Sequence, residues 1–160
     1  MEADLAELEK VLQTMIDGLA PGQRRRATRM IAAELRRSQS DRIAAQLNPD
    51  GSPFEPRKPR KKGVGGRAAA RARASVSRKA MFAKLRTSRF LKARSDADSV
   101  EVGFAGRAAQ IARVHQEGLR DKVDAKRSSA EATYPIRRIL GLTGDDRQRA
   151  LDVVASLLGG

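Results

Sequence analysis

The sequence predicts an α+β fold in a single domain, residues 1–160, because helical and strand-like patterns occupy separate parts of the chain. Apolar residues recur at helical spacing near both ends, whereas apolar and polar residues alternate over Val100–Phe104. A chain of 160 residues can build one modest core, since a domain of about 150 residues buries about 70% of its unfolded surface. We therefore expect a helical hairpin at 1–47, a basic arm at 52–79 and an α+β core at 80–160.

The composition limits the classes of function. The chain carries 33 Lys and Arg residues against 19 Asp and Glu, a formal net charge of +14, which is best tolerated beside an anionic partner. The absence of cysteine excludes a disulfide framework and a thiolate zinc site. No apolar run approaches the roughly 20 residues that cross a bilayer, and the start MEADLAELEK lacks a basic export signal. We expect an unexported protein without membrane contact or cofactor.

Two helices are predicted before the turn Asn48–Gly51. The first, over 2–19, has an apolar seam with spacings of three and four residues: Leu5, Leu8, Leu12, Met15 and Leu19. This seam covers about two heptads, which is too short for a free-standing coiled coil. Packing within the domain is favoured, and packing on a neighbouring subunit is the alternative. The second, over 23–46, contains neither Gly nor Pro, and its arginines, Arg42 among them, are expected on the solvent-facing sides.

The basic arm combines prolines, glycines and cations with very few large apolar side chains, so it cannot bury enough surface to become ordered alone. We expect it to be mobile and to contact a partner protein or the DNA backbone through Arg57, Lys58, Arg60, Lys61, Lys62, Arg67, Arg71, Arg73, Arg78 and Lys79. An acidic protein surface, non-specific DNA contact and no contact at all remain alternatives. Aromatic residues are absent between Arg57 and Ser77, which disfavours base-specific recognition.

The predicted core begins with a small antiparallel β-sheet. Its first arm is expected at Lys84–Ala93 and its second at Val100–Phe104, joined by an acidic turn at 95–99. A short helix follows, with Ala108 and His115 on its periodic face, and Gly118 ends it.

The C-terminal part is predicted to start with a polar loop at 121–133 and an extended stretch at 134–137, where Pro135 disfavours helix in its predecessor. Thr143 and Asp146 then have the spacing of a capping box at the start of the last helix. The inward face of this helix is expected to carry Leu151, Val154 and Leu158, with Val153 and Leu157 beside it.

The sequence offers little for catalysis. His115 is the only histidine and has no cysteine or second histidine to join it in a ligand set or a nucleophile–base pair. The carboxylates of Asp96, Asp98 and Glu101 belong to an exposed hairpin tip, where solvation keeps their chemistry ordinary. The sequence thus points to assembly, with no catalytic and no metal-binding residues.

Four stretches together carry a family resemblance: NPDGSPFEP (48–56), MFAKLRTSRFLKAR (81–94), VEVGFAGRAAQIARVHQEGLRD (100–121) and YPIRRILGLTGDD (134–146). In this order they resemble the tail-completion, or virion morphogenesis, proteins of contractile-tailed bacteriophages. The most specific parts are IARVHQEGL and YPIRRILG. Glu117 departs from the family, because relatives carry an aromatic residue there.

The resemblance implies a structural virion protein, similar to ring-forming neck and tail-terminator proteins, that completes the tail and supports head–tail joining. A homo-oligomeric ring of six copies, or twelve on the connector side, would follow the symmetry of the tube. Its partners would be other tail and neck proteins, and it would reside in the virion tail or neck after assembly in the host cytoplasm. A basic protein that binds DNA without sequence preference is the alternative.

The candidate subunit interface lies in the two most specific stretches and consists of His115, Gln116, Gly118, Tyr134, Pro135 and Arg137. For His115 and Gln116 the competing interpretation is a helix end that satisfies backbone carbonyls before Gly118. For the other stretch it is ordinary core packing with Arg137 as a surface charge. The sequence leaves both pairs of alternatives open.

Overall fold

The computed structural model describes residues 2–57, 67, 71, 80–122 and 131–159 of the chain. Within these residues, four helices and four strands form the predicted α+β architecture. In chain order they are α1 Glu2–Asp17, α2 Pro21–Ala45, β1 Leu91–Ser95, β2 Val100–Phe104, α3 Arg107–Glu117, β3 Arg120–Lys122, β4 Glu131–Thr133 and α4 Gly144–Leu158.

Helices α1, α2 and α4 enclose the first apolar core, and the two predicted N-terminal helices are confirmed. The core residues are Ile16, Leu19, Ala27, Ile31, Ala150 and Val154. Pro21 occupies the first turn of α2, where a missing backbone N–H is harmless. The side chain of Gln23 accepts a hydrogen bond from the backbone N–H of Ala20 at 3.0 Å and so caps the same helix.

A second core lies where the far end of α2 meets the β-hairpin and α3. Its buried residues are Ile43, Leu85, Ala108, Ala112 and Ile139. Strands β1 and β2 pair antiparallel, with Leu91 opposite Phe104 and Ser95 opposite Val100. The elements around this core hold the segment that leads from β4 to α4, on which the candidate site depends.

The first arm of the hairpin begins later in the chain than the sequence predicts. The strand begins at Leu91 rather than Lys84, and residues 81–90 form turns. The backbone N–H groups of Phe90 and Leu91 both donate to the carbonyl of Thr87, at 3.0 and 2.9 Å. Because these local bonds keep the preceding residues in a turn, the strand begins only at Leu91.

The predicted loop at 121–133 is wrong at both of its ends. Strands β3 and β4 pair antiparallel, with Arg120 opposite Thr133, and an ion pair joins Arg120 to Glu131 at 2.8 Å. Residues 123–130 lie outside the described part of the chain. Three-residue strands are too short to produce a detectable alternation of polar and apolar residues.

The cap of α4 is as predicted, whereas its inward face is rotated. The backbone N–H of Asp146 donates to Thr143 Oγ1 at 3.1 Å, and the backbone N–H of Thr143 donates to Asp146 Oδ2 at 3.0 Å. Ala150 and Val154 are buried, whereas Leu158 is 46% exposed. The prediction that Leu158 belongs to the inward face is wrong, because α4 turns its Ala150 side toward α2.

The first residues of the predicted arm, 52–57, pack against the body of the protein. Phe54 is 4% exposed, and its backbone N–H donates to the carbonyl of Gln46 at 2.7 Å. An aromatic side chain buries enough apolar surface to fix such a short segment. The described start of the predicted arm therefore belongs to the body of the protein as far as Arg57.

Candidate functional site

The candidate site is built around the extended residues 134–141, which we call the crossing segment. Gln116 on α3 binds the backbone of Leu140 twice: its Nε2 donates to the carbonyl at 2.9 Å, and its Oε1 accepts from the N–H at 3.0 Å. Gln39 on α2 binds the backbone of Gly141 in the same manner, at 3.0 and 3.2 Å. Two amide side chains thus replace the neighbouring strand that the crossing segment lacks.

Arg137 fixes the middle of the crossing segment and is 3% exposed. Its Nε donates to the carbonyl of Glu55 at 2.7 Å, and its Nη2 donates to the carbonyl of Pro56 at 3.1 Å. Its backbone N–H donates to the carbonyl of His115 at 2.8 Å. The surface-charge interpretation of Arg137 is therefore wrong, because its side chain is buried and its guanidinium donates to backbone carbonyls.

Four rings form a continuous row beside Arg137. Phe54 contacts Phe82, Phe82 contacts His115, and His115 contacts Tyr134, with centroid distances of 5.7, 4.8 and 4.8 Å and near-perpendicular planes. Edge-to-face packing of this kind adds to the apolar burial of the rings. The row includes the only histidine and the only tyrosine of the chain. It joins four stretches that are distant in sequence.

His115 is electrically neutral near pH 7. Burial, together with the positive charges of Arg137 and Arg57, lowers the pKa of its imidazole to about 4, and burial is the largest of these causes. The Nη1 atom of Arg137 lies 3.0 Å from His115 Nδ1. Since a guanidinium can only donate, Nδ1 accepts and the ring proton is on Nε2.

Gly118 allows α3 and the crossing segment to meet closely. It adopts φ +69°, in the left-handed region that favours glycine. A Cβ atom at this position would lie 2.7 Å from Ile136 Cγ1 and 3.3 Å from the carbonyl oxygen of Tyr134. The glycine thus ends the helix and also leaves room for the crossing segment.

Arg42 is a further site residue, and the prediction that it lies on the solvent-facing side of α2 is wrong. It is 9% exposed and donates to the carbonyls of Arg138 and Ile139 at 3.1 and 3.0 Å. Burial lowers the pKa of its guanidinium, and the charge of Asp146 opposes that shift. Helical spacing could not reveal this role, because the acceptors lie about a hundred residues further along the chain.

The structure brings the six predicted interface residues together. His115, Gln116 and Gly118 end α3, and the crossing segment lays Tyr134, Pro135 and Arg137 against that end. Of these six, only the side chains of Tyr134, Pro135, His115 and Gln116 are partly accessible. The exposed apolar side chains beside them are Ile136 and Leu119, 59% and 37% exposed.

The structure describes three of the ten predicted arm residues. Arg57 is half-buried, and its Nη2 donates to the carbonyl of Ala80 at 3.4 Å. Arg67 and Arg71 are exposed and in helical conformation. The other seven, Lys58, Arg60, Lys61, Lys62, Arg73, Arg78 and Lys79, lie outside the described residues.

Asp96, one of the acids at the hairpin tip, has a structural role. Asp96 accepts hydrogen bonds from the backbone N–H groups of Asp98 and Ser99 at 2.8 and 2.7 Å. These bonds hold the pKa of its carboxyl below the usual value. Within the described ranges, no group of three metal-ligating side chains occurs, and no helix is long and apolar enough to cross a membrane.

The fold and the site together define a small basic α+β structural module, in which clustered polar side chains bind the chain's own backbone. The chain belongs to the phage virion morphogenesis family, which it matches over residues 3–159. It is 34% identical over 156 residues to the tail completion protein S of Escherichia phage P2, covering 97% of each chain. No solved structure matches the chain. The family resemblance seen in the sequence is thereby confirmed.

Proposed function

We propose that this chain is a structural virion protein that completes the phage tail and supports head–tail joining as an oligomeric ring at the neck. The observation that carries the proposal is the alignment with tail completion protein S, which extends over 97% of both chains. We assign the protein no reaction.

The ring would contain six copies if it follows the symmetry of the tail tube, or twelve on the connector side. Its partners would be neighbouring tail and neck proteins. The protein would be assembled in the host cytoplasm and remain in the tail or neck of the virion.

The proposed subunit interface is centred on the end of α3 and the crossing segment. Ile136 and Leu119 are large aliphatic side chains in neighbouring positions around Gly118, and both are exposed. Arg137 and Gln116 hold the backbone beneath them. In this arrangement the buried polar residues position the interface, and Ile136, Leu119, Tyr134 and Pro135 make the contact.

Native mass spectrometry of the purified protein, alone and with tail-tube protein, tests the proposal. We expect closed oligomers of one defined size, or their appearance when the tail protein is added. Electron microscopy of the tail end should show a ring of matching subunit number. A protein that stays monomeric under both conditions contradicts the proposal.

Non-specific DNA binding is the second candidate, and the exposed arginines of α2 favour it. Arg25, Arg26, Arg29 and Arg37 are exposed, and none of them has an ion pair within the described part of the chain. A contact with about four phosphates would give a logarithmic salt slope of about −4. Gel shifts across a salt series measure this slope, and no measurable affinity at low salt removes the candidate.

A further inference from the structure

An apolar groove with acidic walls lies between α1, α2, α4 and the tip of the β-hairpin. It has a volume of about 390 Å³, which is within the range of cavities that bind ligands. Leu8 and Leu12 of α1 face Ile31 and Leu35 of α2 across it. These four side chains give the groove an apolar floor that accepts an extended or helical segment.

The charge of the groove is opposite to that of the protein as a whole. Glu9, Asp98 and Asp146 line it, and no Lys or Arg is among the described residues that do so. The chain as a whole has a net charge of +14. A groove whose charged lining residues are all acids, in such a basic protein, selects a cationic occupant.

The buried carboxylate of Asp146 adds negative charge beneath the apolar floor and so further favours a cationic occupant. Its carboxylate is 1% exposed, and the Oδ1 atom has no hydrogen-bond partner among the described residues. The buried Arg42 offsets part of the charge, and Arg24 lies 3.7 Å from Asp98 at the rim. Glu9 has no ion pair in the described residues, so at least one rim carboxylate is available to an incoming cation.

The sequence contains one segment with the complementary chemistry. Residues 58–79 carry nine Lys and Arg residues and no acid, interspersed with alanines. Arg67 and Arg71 are exposed and helical, and a spacing of four places two side chains on one face of a helix. The methylene stems of arginine cover apolar surface while the guanidinium groups reach carboxylates at its edge.

The attachment of this segment determines where it can reach. Arg57 and Ala80, which flank it, are joined by a hydrogen bond of 3.4 Å. A loop of 22 residues closed at its base extends up to roughly 35 Å. Its base lies near Gln46, which binds Met81, whereas the groove lies near Ile31, about 22 Å away along α2. The base of the segment and the groove are thus different places on one subunit, and a contact between two different surfaces of neighbouring copies is what a head-to-tail ring requires.

We propose that the groove receives the 58–79 segment of a second copy of this chain, with Arg67 and Arg71 paired to Glu9 and Asp98. The proposal rests on the ring proposed above and identifies one contact that closes it. The segment of each subunit then fastens the next subunit, in addition to the interface around Ile136.

Cysteine cross-linking tests the contact directly, because the natural chain contains no cysteine. The Gln13→Cys variant places a thiol at the groove, and the Ala69→Cys variant places one in the segment. On oxidation of a mixture of the two variants, we expect a disulfide-linked dimer on a non-reducing gel. Ala44→Cys, at an exposed position of α2 that does not line the groove, replaces Gln13→Cys in the control and should give no such dimer.

The other outcomes overturn the proposal in distinguishable ways. A linked monomer from the chain carrying both cysteines, with no dimer from the mixture, shows that each subunit holds its own segment. An oligomer without any cross-link shows that the groove does not receive the segment, and leaves the ring intact. A strictly monomeric protein in native mass spectrometry refutes the ring itself.

Charge reversal provides an independent measurement. Glu9→Arg should raise the dissociation constant of the oligomer about tenfold. Glu7→Arg makes the same change at an exposed site on α1 outside the groove, and should change that constant less than twofold. Adding Arg67→Glu and Arg71→Glu to Glu9→Arg should restore the affinity, and equal weakening by the two single reversals contradicts the assigned pairing.

Discussion

Arg137 presents a permanent positive charge to an uncharged imidazole, with its Nη1 atom 3.0 Å from Nδ1 of His115. The pair connects the end of α3 to the crossing segment, and through the other guanidinium nitrogens to residues 55 and 56. Protonation of His115 would place two positive charges within one hydrogen-bond distance. The pair is therefore compatible only with the neutral ring.

The first prediction concerns the titration of His115. Its pKa of about 4 should appear as the midpoint of the ring proton shifts in an NMR titration. The assignment is unambiguous, because the chain has one histidine. A midpoint at the ordinary value for histidine would contradict the burial and the cationic neighbourhood described here.

The same shift predicts how stability depends on pH. The unfolded chain takes up a proton at His115 below about pH 6.5, whereas the folded protein does so only near pH 4. The stability contributed by His115 is thus complete above pH 6.5 and is lost as the pH falls toward 4. Discounted for partial solvent exposure, the loss is about 1 to 2 kcal/mol. Urea unfolding of wild type and His115→Gln isolates it, since both keep the same carboxylates, and parallel pH curves would contradict it.

The second prediction is that Arg137→Met lowers the free energy of unfolding by about 2 to 4 kcal/mol. The carbonyls of Glu55 and Pro56 would lose their donor while remaining next to the body of the protein. Arg138→Met is the matched control, because the Arg138 side chain is exposed, and it should change the free energy by less than about 0.5 kcal/mol. Equal effects of the two variants in urea unfolding would show that Arg137 does not brace the segment.

The third prediction compares two glycines. Gly118→Ala should destabilise the protein by about 1 to 3 kcal/mol, because the backbone has φ +69° and the new Cβ would meet Ile136. Gly22→Ala should stabilise it by about 0.5 kcal/mol, because Gly22 lies in α2 with no atom near the added carbon. Thermal unfolding of both variants checks the opposite signs.

The fourth prediction addresses assembly rather than stability. Ile136→Ser should leave the unfolding free energy within about 0.5 kcal/mol of wild type, because this side chain is already 59% exposed. It should weaken the oligomer in native mass spectrometry. Leu158→Ser removes an aliphatic side chain of similar exposure, 46%, at the far end of α4. Equal oligomer populations in the two variants would remove Ile136 from the interface.

Much of the helical architecture could be predicted from sequence because its signals are local. The capping pair Thr143 and Asp146 and the apolar spacing of α1 and α2 lie within a few residues of one another. The three-residue strands β3 and β4 could not be found, since their pairing depends on chain closure and not on a pattern.

The candidate site was found in part, for a similar reason. The positions His115, Gln116 and Arg137 could be selected, whereas the burial of Arg137 could not, because its acceptors come from residues 55 and 56. The roles of Arg42 and Gln39 could not be predicted for the same reason, because their hydrogen-bond partners belong to the crossing segment. A buried polar side chain is defined by remote acceptors, which helical spacing does not encode.

The row of rings gives the molecule an optical probe of its own. The chain has one tyrosine and no tryptophan, so its near-ultraviolet emission comes from a single phenol. That phenol belongs to Tyr134, whose ring centroid is 4.8 Å from the imidazole of His115. Fluorescence of the unlabelled protein therefore reports on one place only, the meeting of α3 with the chain that leads to the last helix.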